Sequence, residues 1–174
     1  SWVPAAVRER LLAICGRQLS PSGIAFISYN ALPGWRMRSV MREAMTYHTR
    51  EIADPIARVA QARAVLDFLA ESVKGAESAY GRALRTEADY LREQRDDYIL
   101  HDHLEAVNEP EYFHQFMEHA APHGLAYLGD ADFPLMLTND LGPQVAQALD
   151  RIAPDVLRRE QLVDFLLNRA LDSP

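Results

Sequence analysis

Five of the six histidines, His101, His103, His114, His119 and His123, fall within 23 residues of one another. Two imidazoles spaced as His101-x-His103 would share one face of an extended segment, and with His114 or Glu105 they could bind a divalent metal. No cysteine stands among them to support such a site. Neutral, hydrogen-bonded structural histidines are therefore the better reading, with no metal expected. Because imidazole titrates in the physiological range, a pH-sensing role stays open.

A second group surrounds Tyr29, Asn30 and Trp35, where the apolar run 24–29 ends in Ser-Tyr-Asn and breaks at Leu32-Pro33-Gly34-Trp35. In open α/β sheets, ligands bind at the carboxyl ends of strands. There Asn30 could hydrogen-bond an amine and Tyr29 could pack against a methyl-accepting side chain. The plainer reading is a turn made by Asn30 and Pro33-Gly34, with Trp35 as a buried anchor. Tyr29, Asn30, Trp35, His101 and His103 are the candidate substrate-binding residues, and no catalytic residue is assigned. Cys15 falls on the apolar face of a helix and reads as core. Nothing resembles a Gly-x-Ser-x-Gly nucleophile elbow. The eight glycines include no two separated by a single residue, so the closely spaced glycines that let a backbone approach a nucleotide cofactor are lacking.

The elements that must position these residues follow from periodicity. Val7, Leu11, Ile14 and Cys15 recur at helical steps after Pro4, and Ser20-Pro21-Ser22-Gly23 forms a turn. Residues 24–29 are β-branched and aromatic and too short for a helix, which predicts a strand. Met37, Met41 and Met45 then mark a helical stripe, read as core in preference to an adaptable docking groove. Asp54-Pro55 caps the next helix, whose stripe is Ile56, Val59, Ala62, Leu66, Leu69 and Val73. A third helix runs over about 77–95, with Tyr80, Leu84, Ala88 and Leu91 inward. Short connections imply antiparallel packing. Phe113, Phe116, Met117 and Ala120 mark a further helix, residues 125–129 a strand weakened by its glycine, and residues 143–152 and 155–171 two closing helices. The expected fold class is mainly α with a small β component (α+β): a helical bundle plus a two-strand remnant. The expected divisions are 1–35, 36–121 and 122–174.

Hydrophobic residues make up 48% of the chain, enough for a core, and net charge is −7. Residues 1–50 hold seven Arg against two Glu, while the remainder holds eleven basic against twenty-three acidic side chains. That asymmetry reads as an accident of helix faces before it reads as two partner surfaces. The acidic bulk argues against nucleic acid, which needs clustered Lys and Arg. Apolar runs are too short to cross a bilayer and no charged-then-apolar leader opens the chain. With a single cysteine, a cytoplasmic setting is expected.

Several landmarks together carry a family likeness. The run from Ser1-Trp2-Val3-Pro4 through Gly23-Ile24-Ala25-Phe26-Ile27-Ser28-Tyr29-Asn30-Ala31-Leu32-Pro33-Gly34-Trp35 is similar to the end of the catalytic fold in bacterial class I methyltransferases that carry a methyltransferase regulatory domain. Met41-Arg42-Glu43, Leu66-Asp67-Phe68-Leu69, His101-Asp102-His103-Leu104-Glu105, Asn108-Glu109-Pro110 and His123-Gly124-Leu125-Ala126-Tyr127-Leu128-Gly129 resemble the helical domain that follows. The likeness extends to about Phe133. It implies S-adenosylmethionine as cofactor of a full-length enzyme, none of it held by this chain, and a catalytic domain in the same polypeptide as partner. It further implies a regulatory or substrate-recruiting role without catalysis in isolation, the strands near residues 26 and 127 being antiparallel neighbours. Some members of such families methylate protein lysines, so a protein substrate is a candidate partner, as is a second copy of the chain. The alternative is a helical dimerisation or adaptor module using the Met37, Met41 and Met45 face.

Overall fold

The computed structural model describes residues 1–131 and 141–170. The chain divides into two units, one formed by Ser1, Val3–Trp35 and Glu109–Pro174, the other by Trp2 and Arg36–Asn108.

The first unit begins with α1 (Ala5–Gln18), whose opening amides are held by the Pro4 carbonyl, 2.8 Å from the Val7 nitrogen. It also contains α6 (Phe113–Ala120), α7 (Pro143–Ile152) and α8 (Val156–Leu167). Asp155 caps α8 by accepting from the Arg158 amide at 2.9 Å, and Asn168 ends it in the left-handed conformation that asparagine tolerates. Leu12, Tyr29, Trp35, Phe113, Met117 and Val163 are buried. The turn after residue 30 is tied to the far end of the sequence: Ala31 N–H donates to the Ala170 carbonyl at 2.9 Å and Gly34 N–H to the Arg169 carbonyl at 3.0 Å. A Cβ on Gly34 would overlap the Arg169 carbonyl and the Ala170 backbone, which is why glycine stands there. Gly16 has the same reason, since its Cα faces the His123 carbonyl.

The α+β expectation is corrected here. Among the described residues there is no strand and no sheet, so the two-strand remnant is absent and residues 24–29 and 125–129 do not pair. Among the described residues a single isolated parallel bridge occurs, Ala31 with Glu111, made by Glu111 N–H to Asn30 O at 3.2 Å and Leu32 N–H to Glu111 O at 3.0 Å. The sequence pattern encodes extension and alternation but not a partner. Ala25, Ile27 and Tyr29 turn inward while Ile24 and Phe26 are 72% and 61% exposed. A strand exists only through a neighbour's ladder of hydrogen bonds.

The second unit holds α2 (Trp35–Thr49), α3 (Pro55–Ser72), α4 (Ala79–Arg92) and the short α5 (Asp96–Tyr98), which widens into a π-helical turn over Ile99–His103. Asp54 caps α3 through the Ala57 amide at 2.8 Å, with Pro55 in the first turn. Ser78 caps α4 through the Gly81 amide at 3.0 Å. Met41, Met45, Ala62, Leu66, Ala88 and Leu91 are fully enclosed in one core cluster, each large side chain contributing roughly 1.5–3 kcal/mol. Two inward expectations fail: Ile56 is 82% and Tyr80 56% exposed. Both stand in the first turn of their helices, where the apolar stripe has not yet met the core.

Candidate functional site

The first unit contains a cleft of about 950 Å³. Tyr29, Phe113, Phe116, Met117 and Tyr127 form its apolar wall. Alternation along the extended segment brings Tyr29 inward, where its ring stacks on Phe116 with centroids 4.6 Å apart. Helical spacing puts Phe113 and Met117 on the buried face of α6, and Tyr127 meets Phe113 edge-on at 4.8 Å.

The other end of the cleft is charged. Arg169 Nη1 lies 3.2 Å from Glu160 Oε2, 3.2 Å from Asp164 Oδ1 and 4.0 Å from Asp130 Oδ2, all four side chains being almost fully buried. Glu160 and Asp164 stand four residues apart and so share a face of α8. The left-handed turn at Asn168 sends Arg169 back across them. Three carboxylates thus surround one guanidinium. Burial raises the Glu160 pKa above its ordinary value, the Arg169 hydrogen bond and charge pull it back, and Asp130 pushes it up again.

Asn30 is fully buried beside Tyr29; its N–H donates to Ser1 Oγ at 2.9 Å and its carbonyl accepts from Glu111. Trp35 is buried at the start of α2. The structure therefore groups Tyr29, Asn30 and Trp35 in the first unit, with Tyr29 alone of the three on the cleft.

His101 and His103 fall in the second unit, on the π-helical turn rather than on an extended segment. Leu104 N–H closes that turn on the Ile99 carbonyl at 3.1 Å. His101 is exposed and stacks on Trp2, centroids 5.3 Å apart and planes 27° apart. His103 is fully enclosed. Burial, then the charges of Arg38 and Arg42, push its pKa down to about 3, so it is neutral at physiological pH. Around it, Tyr90 and Tyr98 bring their hydroxyls to 3.3 Å, Arg38 sits 4.6 Å over the Tyr90 ring, and Arg38 lies 3.6 Å from Glu87. Asp102 is buried here and its pKa raised, chiefly by that burial and against the pull of His101 and Arg38.

The remaining histidines of the cluster are dispersed. His114 Nδ1 lies 2.7 Å from Gln161 Oε1, His119 Nδ1 3.1 Å from Glu111, and His123 Nε2 2.7 Å from Glu9. Among the described residues, no three His, Cys, Asp or Glu converge as metal ligands, and no helix is long and apolar enough to cross a membrane. Sequence reasoning missed the Asp130, Glu160, Asp164 and Arg169 cluster. The four-residue spacing of Glu160 and Asp164 was a signal for part of it; the return of Arg169 was not encoded in any local pattern.

Residues 95–171 match the family described as the predicted methyltransferase regulatory domain. An uncharacterised protein of Rickettsia prowazekii is 42% identical over 169 residues, which is 97% of this chain and 30% of that protein. A second from the same organism is 38% identical over 69% of this chain and 48% of its own length. One from Synechocystis is 23% identical, over 97% of this chain and 33% of its length. The chain thus spans between about a third and a half of the curated relatives it matches. Among solved structures, PKMT2 from Rickettsia typhi superposes on 98% of this chain with a TM-score of 0.85 and 37% identity, the chain covering 32% of it. The same protein has been solved with AdoHcy, with the same agreement. Over residues 95–171 the chain thus matches the methyltransferase regulatory domain family.

Proposed function

We propose that this chain is the regulatory or substrate-recruiting portion of an S-adenosylmethionine-dependent methyltransferase and does not catalyse methyl transfer alone. The observation that carries the reading is the likeness along nearly the whole chain to PKMT2, a protein solved with AdoHcy and three times as long. The chain's own residues do not fit that cofactor. The glycines with left-handed backbone, Gly75, Gly124 and Gly142, are isolated from one another, whereas a nucleotide loop needs clustered glycines leading into a helix N-terminus. Donor binding and chemistry are therefore assigned to the remainder of the longer polypeptide.

Within this portion, Tyr29 is the residue proposed to meet the methyl acceptor, because it lines the cleft and its ring is fixed by Phe116. Asn30 and Trp35 hold the backbone that presents it. Of the histidine pair, His101 is the one a ligand could reach. The setting is proposed to be cytoplasmic, and a protein is the proposed acceptor class. Use of the methionine face as an adaptor surface is not favoured, since Met41 and Met45 have no exposed surface.

Calorimetric titration of the isolated chain with S-adenosylmethionine should give no binding heat. Adding the chain to the rest of its polypeptide should change the rate of methyl transfer. Tight donor binding by the chain alone, or an unchanged rate, would refute the proposal.

A further inference from the structure

Several arginines of the second unit have a carboxylate beside them: Arg38 has Glu87, Arg63 has Asp96 and Arg92 has Asp67. Arg42 and Arg58 do not. Arg42 of α2 gives one terminal nitrogen to the carbonyls of Glu105 and Ala106, which fixes the side chain, and its Nε is shut off from solvent with no acceptor. Arg58, near the start of α3, makes no hydrogen bond and no ion pair with any described residue, and its Nε is shut off in the same way. Both residues are partly buried. Their helices are held together close by: Met41 and Val59, the sequence neighbours of the two arginines, share one core cluster, and His48 Nε2 lies 3.2 Å from Gln61 Oε1. Burial lowers the Arg42 pKa, Glu43 pulls it up, and the charge of Arg58 lowers it again, so the two guanidinium groups repel one another. Arg58 also stands at the positive end of the α3 dipole, where a cation is unfavourable and an anion is stabilised.

We propose that Arg42 and Arg58 form a binding site for a phosphoryl group, held between their two guanidinium forks. A phosphate monoester carries about two negative charges and three strong acceptor oxygens at neutral pH, which answers both cations at once. A carboxylate would answer only one. Arginine is also the side chain whose planar fork meets phosphate oxygens two at a time. The nearby carboxylates leave the place open: Asp54 is turned to the Ala57 amide, and Glu43 is exposed to solvent. All of these residues belong to the second unit, so the site stands or falls independently of the methyltransferase reading.

Titration calorimetry of the 174-residue chain with phenyl phosphate, in low-salt buffer free of other phosphate, should show one site. Arg58→Met keeps an unbranched stem and removes the charge; it should weaken binding about tenfold or more, as should Arg42→Met. Arg58→Lys, which keeps the charge without the fork, should fall between. Arg151→Met, in the first unit, should bind like the wild type. Because Arg58 has no partner to lose, Arg58→Met should keep its helicity and urea midpoint without ligand, which checks that it is folded. Phenyl phosphate should raise the midpoint of the wild type and not that of Arg58→Met. Benzoate, a carboxylate on the same ring, should bind about tenfold more weakly. Absence of phenyl phosphate binding, equal binding by Arg58→Met and wild type, or benzoate bound as tightly would overturn the proposal. A phosphoserine peptide bound as tightly as phenyl phosphate supports the site and gives the source as a phosphorylated protein; a peptide that is excluded supports it with a small phosphate ester as the source.

Discussion

Acidification should weaken the unit of residues 36–108 through one side chain, His103. Its imidazole has no exposed surface and is held neutral, with a pKa of about 3, by burial and by the charges of Arg38 and Arg42. In the unfolded chain the same ring takes a proton near pH 6.5. The folded value is depressed, so the unfolded state binds more protons as pH falls below 6.5, and stability is lost progressively down to about pH 3. Each unit of pH across that window costs about 1.4 kcal/mol, so going from pH 7 to pH 5 should remove roughly 2 kcal/mol. Asp102 and Glu87, whose pKa values burial raises, work in the opposite direction, because their folded forms take up protons first. A comparison with His103→Gln isolates the histidine. Urea unfolding at pH 7 and pH 5 should show the wild type losing about 2 kcal/mol more than the variant. Equal losses, or an NMR titration of His103 with a midpoint near 6.5, would refute the reasoning.

Leu66→Ala should cost about 2–5 kcal/mol in urea unfolding, because a fully enclosed side chain leaves a cavity among Met45, Leu84 and their neighbours. Asp54→Ala should cost about 1 kcal/mol by removing the cap on α3, while Asp54→Asn should cost less. Arg169→Met should destabilise the first unit by about 3–5 kcal/mol, leaving Glu160 and Asp164 buried without their cation. That loss should shrink toward pH 4, as the Glu160 carboxyl, already raised by burial, takes a proton; a pH-independent loss would contradict it.

Residues whose signal is local were legible. Asp54-Pro55 announces α3, and Met41, Met45, Leu66, Ala88 and Leu91 announce the core of the second unit, because periodicity and caps act over a few residues. The failure at residues 24–29 has a different origin. Ile24 and Phe26 are indistinguishable in sequence from residues of a paired strand, yet pairing depends on a neighbour that composition does not specify. His101 and His103 illustrate the same limit. Two histidines one residue apart suggest a shared face on an extended segment. The π-helical turn instead leaves His101 on the surface against Trp2 and encloses His103. Tyr29 was a candidate for its place at the end of the apolar run, and in the structure it lines the cleft. The carboxylate cluster was not, because Asp130 and Arg169 meet only through tertiary folding.

The backbone bonds from Ala31 and Gly34 to Ala170 and Arg169 bear on how the protein emerges from the ribosome. The second unit is nearly continuous in sequence and can assemble once residue 108 has cleared the exit tunnel. The first cannot close until residue 170 is made, so residues 1–35 must wait for Arg169 and Ala170 while the whole of the second unit is synthesised. Leu12, Tyr29 and Trp35, buried in the finished unit, stay without their tertiary cover for that interval.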